Sequence, residues 1–318
     1  MASVRPQVKV STPLSYDWRL GYWLLVFTAL AWGINFPMLK IGLTYSPPML
    51  YTALRMVLGT LTMFLLAWVM GILRWPHRKD WHVVLSVGLL SNMVFITLVT
   101  IGMQYLPSGR AAILAYTSPI WVVPAAALFL HERFTLPRAI GTGLGLAGLL
   151  VIFNPLAVSW EEPNALLGGG VILLATLVWT SGLVHVRRHA WQGTVLSLIP
   201  WQLLVSVLAL VPLSLFFESP TDIRWEPAFL WNILFSGAIA SGLCVAAQVA
   251  AIRSLPAVSM SLSSAAVPAV GLVAAALILG EQPSGGDIIG FFLIAGGILA
   301  VGLGDRGQAR SEVLSTRK

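Results

Sequence analysis

Residues 106–150, LPSGRAAILAYTSPIWVVPAAALFLHERFTLPRAIGTGLGLAGLL, align without a gap to residues 255–299, LPAVSMSLSSAAVPAVGLVAAALILGEQPSGGDIIGFFLIAGGIL, at a constant offset of 149. Landmarks of three residue types stay in register: Pro119 with Pro268, Glu132 with Glu281, Gly141 with Gly290, and Gly148 with Gly297. Apolar stretches match by chance easily, but proline, glutamate and glycine landmarks in register do not. The chain is therefore predicted to contain an internal repeat.

The composition around this repeat is that of a membrane protein. The 318 residues are 57% hydrophobic and only 10% charged, and the mean hydropathy is +0.85. Soluble domains carry about 25% charged residues, and disordered chains are polar and highly charged, so both classes are excluded. The single cysteine, Cys244, excludes an intrachain disulfide and a multi-cysteine metal site.

Apolar segments of membrane-spanning length recur along the chain. A helix that crosses the hydrocarbon core needs about 20 mostly apolar residues. A window of that length predicts ten spans: 20–41, 48–73, 82–104, 108–130, 138–154, 167–186, 195–217, 229–252, 256–279 and 285–304. We therefore predict an all-α integral membrane protein with ten transmembrane helices in two five-helix repeats, residues 20–154 and 167–304. Polar tails at 1–19 and 305–318 complete the chain.

The loop charges predict the orientation. With ten spans, both tails lie on one side together with loops 74–81, 131–138, 187–194 and 253–255, and this side carries fifteen of the nineteen Lys and Arg residues. We call it the basic face. The opposite side, the acidic face, holds Glu161, Glu162, Glu218, Asp222, Glu226, Glu281 and Asp287. The positive-inside rule predicts that the basic face and both termini are cytoplasmic. The asymmetry also accounts for the net charge of +7 without a nucleic-acid partner.

The two repeats are predicted to be inverted. Five spans is an odd number, so the second repeat crosses the membrane in the opposite direction to the first. The loop at Glu132 accordingly falls on the basic face, and its repeat partner at Glu281 falls on the acidic face. Inverted repeats of this kind are typical of secondary transporters, whose halves rock about a site near the bilayer midplane.

Several motifs resemble a known family. They are LAWGINFPMLK at 30–40, Arg55 in ALRMVLG, HERFTLPRAIG at 131–141 and its echo GEQPSGGDIIG at 280–290. Across 20–304 the chain resembles the EamA-type members of the drug/metabolite transporter superfamily. The resemblance implies ten helices in two inverted repeats and export of a metabolite across the bacterial inner membrane. Within that superfamily the chain is most similar to YddG-type amino-acid exporters, although Thr180 stands where the first repeat has Gly33.

Polar and aromatic side chains deep in the spans are the candidate substrate-binding residues. They are Trp32, Asn35, Asn92, Tyr116, Ser118, Trp179, Gln248, Ser263 and Ser264. Amides and hydroxyls offer donors and acceptors to a polar or zwitterionic ligand, and the two tryptophans lie deeper than an interfacial belt. Hydrogen bonding between helices is the alternative role for the amides and hydroxyls.

Two prolines and one arginine stand out in the spans. Pro119 and Pro268 lie near the middles of spans four and nine and are candidate hinges, because proline removes a backbone hydrogen bond; ordinary helix curvature is the alternative. Arg55 is the basic residue clearly within a span. It is a candidate contact for an anionic substrate group. Snorkelling to the headgroups or stabilising the fold are its alternatives.

These residues favour a carrier over other classes. No Asp or Glu lies in the interior of any span, which favours uniport of neutral or zwitterionic compounds, amino acids above all. The alternatives are a proton-coupled exporter of drugs or toxic compounds, a membrane enzyme acting on lipid-linked groups, and a water-filled channel. We expect no catalytic residues, since the five histidines are scattered without acidic partners at metal-binding spacing.

No cofactor, metal or obligatory protein partner is expected. Gly143-x-Gly145-x-x-Gly148 spells a dinucleotide fingerprint, but it lies inside an apolar span instead of after a strand. Close helix packing explains these glycines better. The sequence also lacks the phosphate-binding motif of an ATP-driven pump. The expected partners are a small-molecule substrate and the lipid bilayer.

Overall fold

The computed structural model describes residues 18–130, 135–153, 163–189, 191–255 and 257–315. Within these residues the chain forms ten long helices, besides three short 3-10 helices at Arg78–Asp80, Met103–Tyr105 and Pro220–Asp222. The long helices are α1 (Trp18–Gly42), α2 (Pro48–Val69), α3 (81–102), α4 (Ser108–Leu130), α5 (Leu136–Ile152), α6 (Pro163–Arg188), α7 (Val195–Phe217), α8 (227–254), α9 (Ala257–Leu279) and α10 (Gly285–Ser315). Eight helices are long and apolar enough to cross a membrane, and Leu136–Ile152 and Ser263–Leu279 are shorter apolar helices. The predicted all-α, ten-helix membrane fold is confirmed.

Glycine ends α2 earlier than the predicted limit of residue 73. Gly71 adopts φ +65°, a left-handed conformation that glycine tolerates without a steric penalty. The chain turns back there, and the N–H of Ile72 donates to the carbonyl of Ala67 at 3.0 Å. This capping arrangement satisfies a carbonyl that the helix end would otherwise leave unpaired.

The chain ends also differ in part from the expected tails. Helix α1 begins at Trp18, and α10 continues to Ser315 through most of the segment expected to be the second tail. Residues 1–17 and 316–318 lie outside the described residues. The loop residues 131–134, with Glu132, lie outside them as well.

The contact between α5 and α10 establishes the inversion. A Cβ placed on Gly141 would lie 2.6 Å from the carbonyl oxygen of Gly297, and one placed on Gly148 would lie 2.8 Å from that of Gly290. Later residues of α5 therefore meet earlier residues of α10, so the two helices run antiparallel. Because Gly141 corresponds to Gly290 and Gly148 to Gly297, the two contacts are one contact repeated by a pseudo-twofold axis. The predicted pair of inverted five-helix repeats is confirmed.

A second pair of equivalent helices, α2 and α7, shares an apolar cluster. Its buried members include Ala53, Met56 and Met63 from α2 and Ile199, Leu203 and Leu210 from α7. The outward side chains of the helices are apolar too, and Leu128, Phe216 and Leu277 are each more than 70% exposed. A continuous apolar exterior of this kind fits a lipid environment.

Two π-helical stretches, which sequence periodicity did not predict, interrupt α3 and α8 in mid-span. They are Val87–Val94 and Phe235–Leu243. They occupy equivalent positions, because Gly88 and Gly237 differ by the repeat offset of 149. Single π turns inside α-helices occur frequently at functional sites.

The same two glycines align α2 with α7. A Cβ placed on Gly88 would lie 2.7 Å from the carbonyl oxygen of Gln202 and 2.9 Å from Val205 Cβ. A Cβ placed on Gly237 would lie 2.9 Å from the carbonyl oxygen of Arg55 and 2.6 Å from Leu58 Cβ. Arg55 therefore occupies the place in the first repeat that Gln202 occupies in the second. The offset is 147, as between Trp32 and Trp179.

Helix α4 is broken, whereas its repeat equivalent α9 is continuous. α4 consists of Ser108–Ala115 and Ser118–Leu130, which are joined at Tyr116 and Thr117. The break lies just before Pro119, which has no N–H to continue the helical ladder.

Candidate substrate site

Helices α1 and α2 meet α8 at its π stretch, deep in the fold. The indole nitrogen of Trp32 donates to the carbonyl oxygen of Ala240 at 2.8 Å. Ala240 lies inside the π stretch of α8, so the indole N–H binds the main chain of that stretch. The candidate binding residue Trp32 is thereby tied to the opposite repeat.

Arg55 is buried and reaches the residue after Ala240. It is 5% exposed, and its Nε and Nη2 atoms donate to Ser241 Oγ at 3.2 and 3.0 Å. Ser241 Oγ in turn donates to the carbonyl oxygen of Ser236 at 2.7 Å. Arg55 does not snorkel, so that alternative is wrong. No Asp or Glu side chain among the described residues pairs with this guanidinium.

A second polar link joins the same three helices nearer the acidic face. The Tyr51 hydroxyl donates to Asn232 Oδ1 at 2.8 Å and lies 2.9 Å from Ser236 Oγ. The amide nitrogen of Asn232 donates to the carbonyl oxygen of Met38 on α1 at 2.7 Å. Tyr51, Asn232 and Ser236 are each at most 5% exposed, so this is an internal network. Buried polar groups that are fully hydrogen-bonded fix the relative position of their helices.

Asn35 lies between these two links along α1. It is three residues beyond Trp32 and three before Met38, and it is 6% exposed. Its Oδ1 atom has no hydrogen-bond partner among the described residues. A buried amide oxygen without a donor is rare in folded proteins, and it is available to a ligand.

The remaining amides divide into two kinds. The side chains of Asn92, in the π stretch of α3, and of Gln202, on α7, make no hydrogen bond to a described residue, and Gln202 is 6% exposed. Gln248 accepts from the Thr28 hydroxyl at 3.3 Å, an interaction between α8 and α1. The exposed Gln104 bonds within its own chain segment, to the carbonyl of Ile101.

The aromatic and hydroxyl candidates lie on several helices. Trp179 on α6 packs on Phe95 of α3 with ring centroids 4.9 Å apart, and Tyr116 packs on Phe36 of α1 at 6.3 Å. Tyr116 is also one of the two residues at which α4 breaks. Ser118, half-buried, begins the second segment of α4.

On α9, Ser263 is buried, whereas Ser264 donates to the carbonyl of Met260 on its own helix at 3.1 Å. That bond is the structural role that hydroxyls commonly play in membrane helices. The two hinge candidates also differ, since Pro119 follows the break in α4 while Pro268 lies inside continuous α9.

Sequence reasoning missed Tyr51, Asn232, Ser236 and Ser241. Tyr51 and Asn232 stand near the ends of their predicted spans, where polar residues usually meet the headgroups. The signal that could have found them is the repeat itself. The offsets place Leu198 opposite Tyr51, Val83 opposite Asn232 and Val87 opposite Ser236, so this polar network belongs to one repeat and is not a general requirement of the fold. Ser241 alone has a polar equivalent, Asn92.

On the acidic face, carboxylates bind the ends of helices. Glu281 accepts from the backbone N–H groups of Ser108 and Gly109 at 2.8 and 3.0 Å. An anion at a helix N-terminus is favoured by the helix dipole. The contact is to the start of α4 and not to α10, the helix that follows Glu281 in the chain. Glu281 therefore joins the loop after α9 to a helix of the other repeat.

Three further contacts join helix ends on the acidic face. Glu218 accepts from the N–H groups of Met49 and Leu50 at the start of α2, at 3.0 and 2.7 Å. Arg110 Nε pairs with Asp287 Oδ1 at 2.7 Å and links α4 to α10. The Lys40 ammonium donates to the carbonyl of Met103 at 2.7 Å, so it ties α1 to the end of α3 instead of snorkelling.

The basic face carries a buried carboxylate and a cavity. Asp80, fully buried, accepts from His189 Nε2 at 2.8 Å and from the N–H groups of Gln192 and Gly193 at 3.2 and 2.9 Å. Burial alone raises the pKa of Asp80, but these hydrogen bonds outweigh burial and hold that pKa below its ordinary value. A cavity of about 440 Å³ lies beside this pair, and its described lining is Ser181, Val184, His185, Arg188 and His189.

The fold has ten membrane helices in two inverted repeats, and a polar junction, formed by the hydrogen bonds of Trp32, Tyr51, Arg55 and Asn232, lies where α1, α2 and α8 meet. These features define a multi-pass membrane transporter of the inverted-repeat class. A sequence profile of the EamA-like transporter family matches residues 19–154 and 166–303, so the chain belongs to that family. The predicted membership is confirmed.

Similar proteins are transporters by name. The Bacillus subtilis transporter YoaV is 27% identical over 86% of this chain and 94% of its own length. A Salmonella typhimurium protein named as a probable amino-acid metabolite efflux pump is 24% identical over 88% and 94%. A Streptantibioticus cattleyicolor protein named as a probable terminal-alkyne amino-acid exporter is 25% identical over 91% and 95%. One solved crystal structure shares the fold with a TM-score of 0.65 and 18% identity, over 89% of this chain and 96% of that one.

Proposed function

We propose that this protein exports neutral or aromatic amino acids, or similar amphipathic metabolites, across the bacterial inner membrane by alternating access. The observation that carries the proposal is the polar junction of α1, α2 and α8. It combines a buried cation, Arg55, with an unpaired amide oxygen, on Asn35, at membrane depth. Polar groups at that depth are costly unless they serve a ligand or a partner.

The direction of transport follows from the charge bias. The basic face holds most of the Lys and Arg residues, which favours the cytoplasm for that face and for both termini. The cavity beside His185 and His189 lies at the basic face, and the contacts of Glu281 and Arg110 close the acidic face. This combination is that of a carrier ready to accept a substrate from the cytoplasm.

Uniport is the coupling that these residues favour. Proton-driven carriers use intramembrane acids or histidines as relays. Carboxylates of this chain instead lie at helix ends and accept hydrogen bonds from backbone N–H groups or basic side chains, as those of Asp80, Glu218, Glu281 and Asp287 do.

The names of two relatives refer to amino-acid efflux and support amino acids as the substrate class.

The test is efflux from proteoliposomes. Vesicles loaded with labelled phenylalanine, leucine or alanine are diluted with and without a pH gradient, and protein-free vesicles serve as the control. The proposal predicts protein-dependent efflux down the amino-acid gradient, equal with and without the pH gradient. Efflux of none of the three amino acids would refute the substrate class. Efflux that requires the pH gradient would refute uniport and favour a proton-coupled exporter.

A further inference from the structure

The geometry points to Arg55 as the receptor for a substrate carboxylate and to Asn35 Oδ1 as the acceptor for the ammonium group of the same molecule. The substrate class is then the free zwitterionic amino acid, in contrast to amines, esters or N-acylated derivatives. This inference rests on the proposed export function and narrows it.

Arg55 and Asn35 lie at a similar depth in the bundle. On the side of the acidic face, the hydrogen bonds from Tyr51 to Asn232 and from Asn232 to Met38 join α2, α8 and α1. On the side of the basic face, Trp32 and Arg55 contact the consecutive residues Ala240 and Ser241. Asn35 lies midway between Trp32 and Met38, about one helical turn from each. Arg55 follows Tyr51 by four residues and so lies on the same face of α2.

The charge of Arg55 is not balanced within the described part of the chain. Ser241 supplies a neutral hydroxyl to two of the guanidinium nitrogens, Nε and Nη2. A planar guanidinium matches a carboxylate through two parallel hydrogen bonds. A substrate carboxylate that takes the place of the Ser241 hydroxyl would therefore supply both the missing charge and the preferred geometry.

The other repeat shows that the fold does not require this cation. Gln202 occupies the equivalent place on α7, is 6% exposed, and presents its backbone to Gly88 as Arg55 does to Gly237. Gly182 stands where the first repeat has Asn35. The cation and the amide acceptor thus occur together, and they occur once. A group needed for helix packing would be expected in both copies.

The substitution Arg55→Gln gives the first repeat the residue that the second repeat has at the equivalent position, Gln202. Inhibition of labelled phenylalanine efflux is measured with phenylalanine, phenethylamine, which lacks the carboxylate, and 3-phenylpropanoate, which lacks the ammonium. We expect the wild type to bind phenylalanine at least tenfold more tightly than either analogue. In Arg55→Gln the preference over phenethylamine should disappear, and in Asn35→Leu the preference over 3-phenylpropanoate should disappear. Gln202→Met is the matched control, and it should retain both preferences.

Each outcome is decisive. If Arg55→Gln keeps the preference over phenethylamine, or if inhibition by all three compounds falls equally while the unfolding temperature drops, Arg55 serves the fold and the inference is overturned. Should Arg55→Gln not yield folded protein, Arg55→Lys provides the test, because a point charge cannot pair bidentately. Its KM for phenylalanine should rise several-fold, and an unchanged KM would overturn the inference. A wild type that transports no amino acid would instead refute the proposed function itself.

Discussion

Gly141 on α5 packs against Gly297 on α10 so closely that a Cβ placed on either glycine would lie within 2.6 Å of the carbonyl oxygen of the other. Its counterpart, Gly148 against Gly290, repeats the contact with the roles of the helices exchanged. Glycine pairs let helix backbones approach in membranes, where packing replaces the hydrophobic effect as the driving force for association. The pseudo-twofold axis therefore passes between two equivalent contacts that tolerate no side chain.

Replacing Gly141 with leucine should destabilise the protein strongly. The new side chain would meet the backbone of Gly297, which cannot give way, and overpacking costs typically about 1–3 kcal/mol and occasionally more. The thermal unfolding temperature in detergent and the yield of monodisperse protein measure the effect. Gly143→Leu is the matched control, because a Cβ on Gly143 meets nothing within 4 Å. Equal behaviour of the two variants would contradict the packing described here.

Substituting Glu281 with glutamine should favour the conformation open at the acidic face. The change removes the charge that accepts from the N–H groups of Ser108 and Gly109, and hydrogen bonds to charged groups contribute about 1.5–3 kcal/mol. A shift of about 1.4 kcal/mol changes a population tenfold. The measurement is labelling of Ser118→Cys, in a Cys244→Ala background, by a membrane-impermeant maleimide added at the acidic face.

The control for this experiment is Glu226→Gln. Glu226 is an exposed acid on the same face, and its carboxylate lies 3.7 Å from Arg224. Exposed pairs of this kind contribute little, so Glu226→Gln should leave the labelling rate unchanged. A Glu281→Gln variant that is labelled no faster than the Glu226→Gln control would show that Glu281 does not hold the acidic face closed.

Asp80→Asn should lower stability at neutral pH but not in strong acid. Because the native pKa of Asp80 is lowered, its carboxylate stabilises the fold fully above the ordinary carboxyl pKa of about 3.9. That stabilisation is lost as the pH falls through the lower native pKa. We expect a loss of about 1.5–3 kcal/mol at pH 7, since charge-assisted bonds from His189 and two backbone N–H groups are weakened.

Thermal unfolding of the wild type and Asp80→Asn across pH measures this difference. Asp222→Asn changes an exposed acid and should match the wild type throughout. A destabilisation that persists undiminished below the native pKa of Asp80 would contradict the electrostatic account and indicate a steric effect.

Tyr116→Phe and Gln248→Leu should reduce transport without reducing the amount of folded protein. Tyr116 lies at the break in α4, and Gln248 bonds to Thr28 across α8 and α1. Loss of a ligand hydrogen bond of ordinary strength, about 0.5–1.5 kcal/mol, corresponds to a several-fold rise in KM. Gln104→Leu is the control, since Gln104 is an exposed amide near a helix end. If both variants transport like this control, the substrate does not touch these two side chains.

The architecture was predictable from the sequence because its signals are local or repeated. Span length, loop charge and the landmarks from Pro119 to Gly148 are readable without knowing which helices touch. The inversion then follows from an odd number of spans per repeat. The break in α4 was partly anticipated, since Pro119 follows it directly.

The π stretches and the burial of Arg55 were not predictable from the sequence, because they depend on which helices pack together. The π stretches at Val87–Val94 and Phe235–Leu243 lie where α7 packs on Gly88 and α2 packs on Gly237, and a local apolar pattern does not reveal which helices pack together. The burial of Arg55 likewise depends on Ser241, which is 186 residues away in the chain. A cation two turns inside a span can snorkel or pair, and the partner helix decides between the two.

Trans-stimulation in proteoliposomes tests the central claim, that two inverted halves expose one site alternately to each face, most directly. Uptake of labelled phenylalanine is measured with and without excess unlabelled phenylalanine inside the vesicles. An alternating-access carrier returns faster when loaded, so internal phenylalanine should accelerate uptake of the label. Uptake that is unaffected or slowed by internal substrate, as for a channel open to both faces at once, would contradict the account.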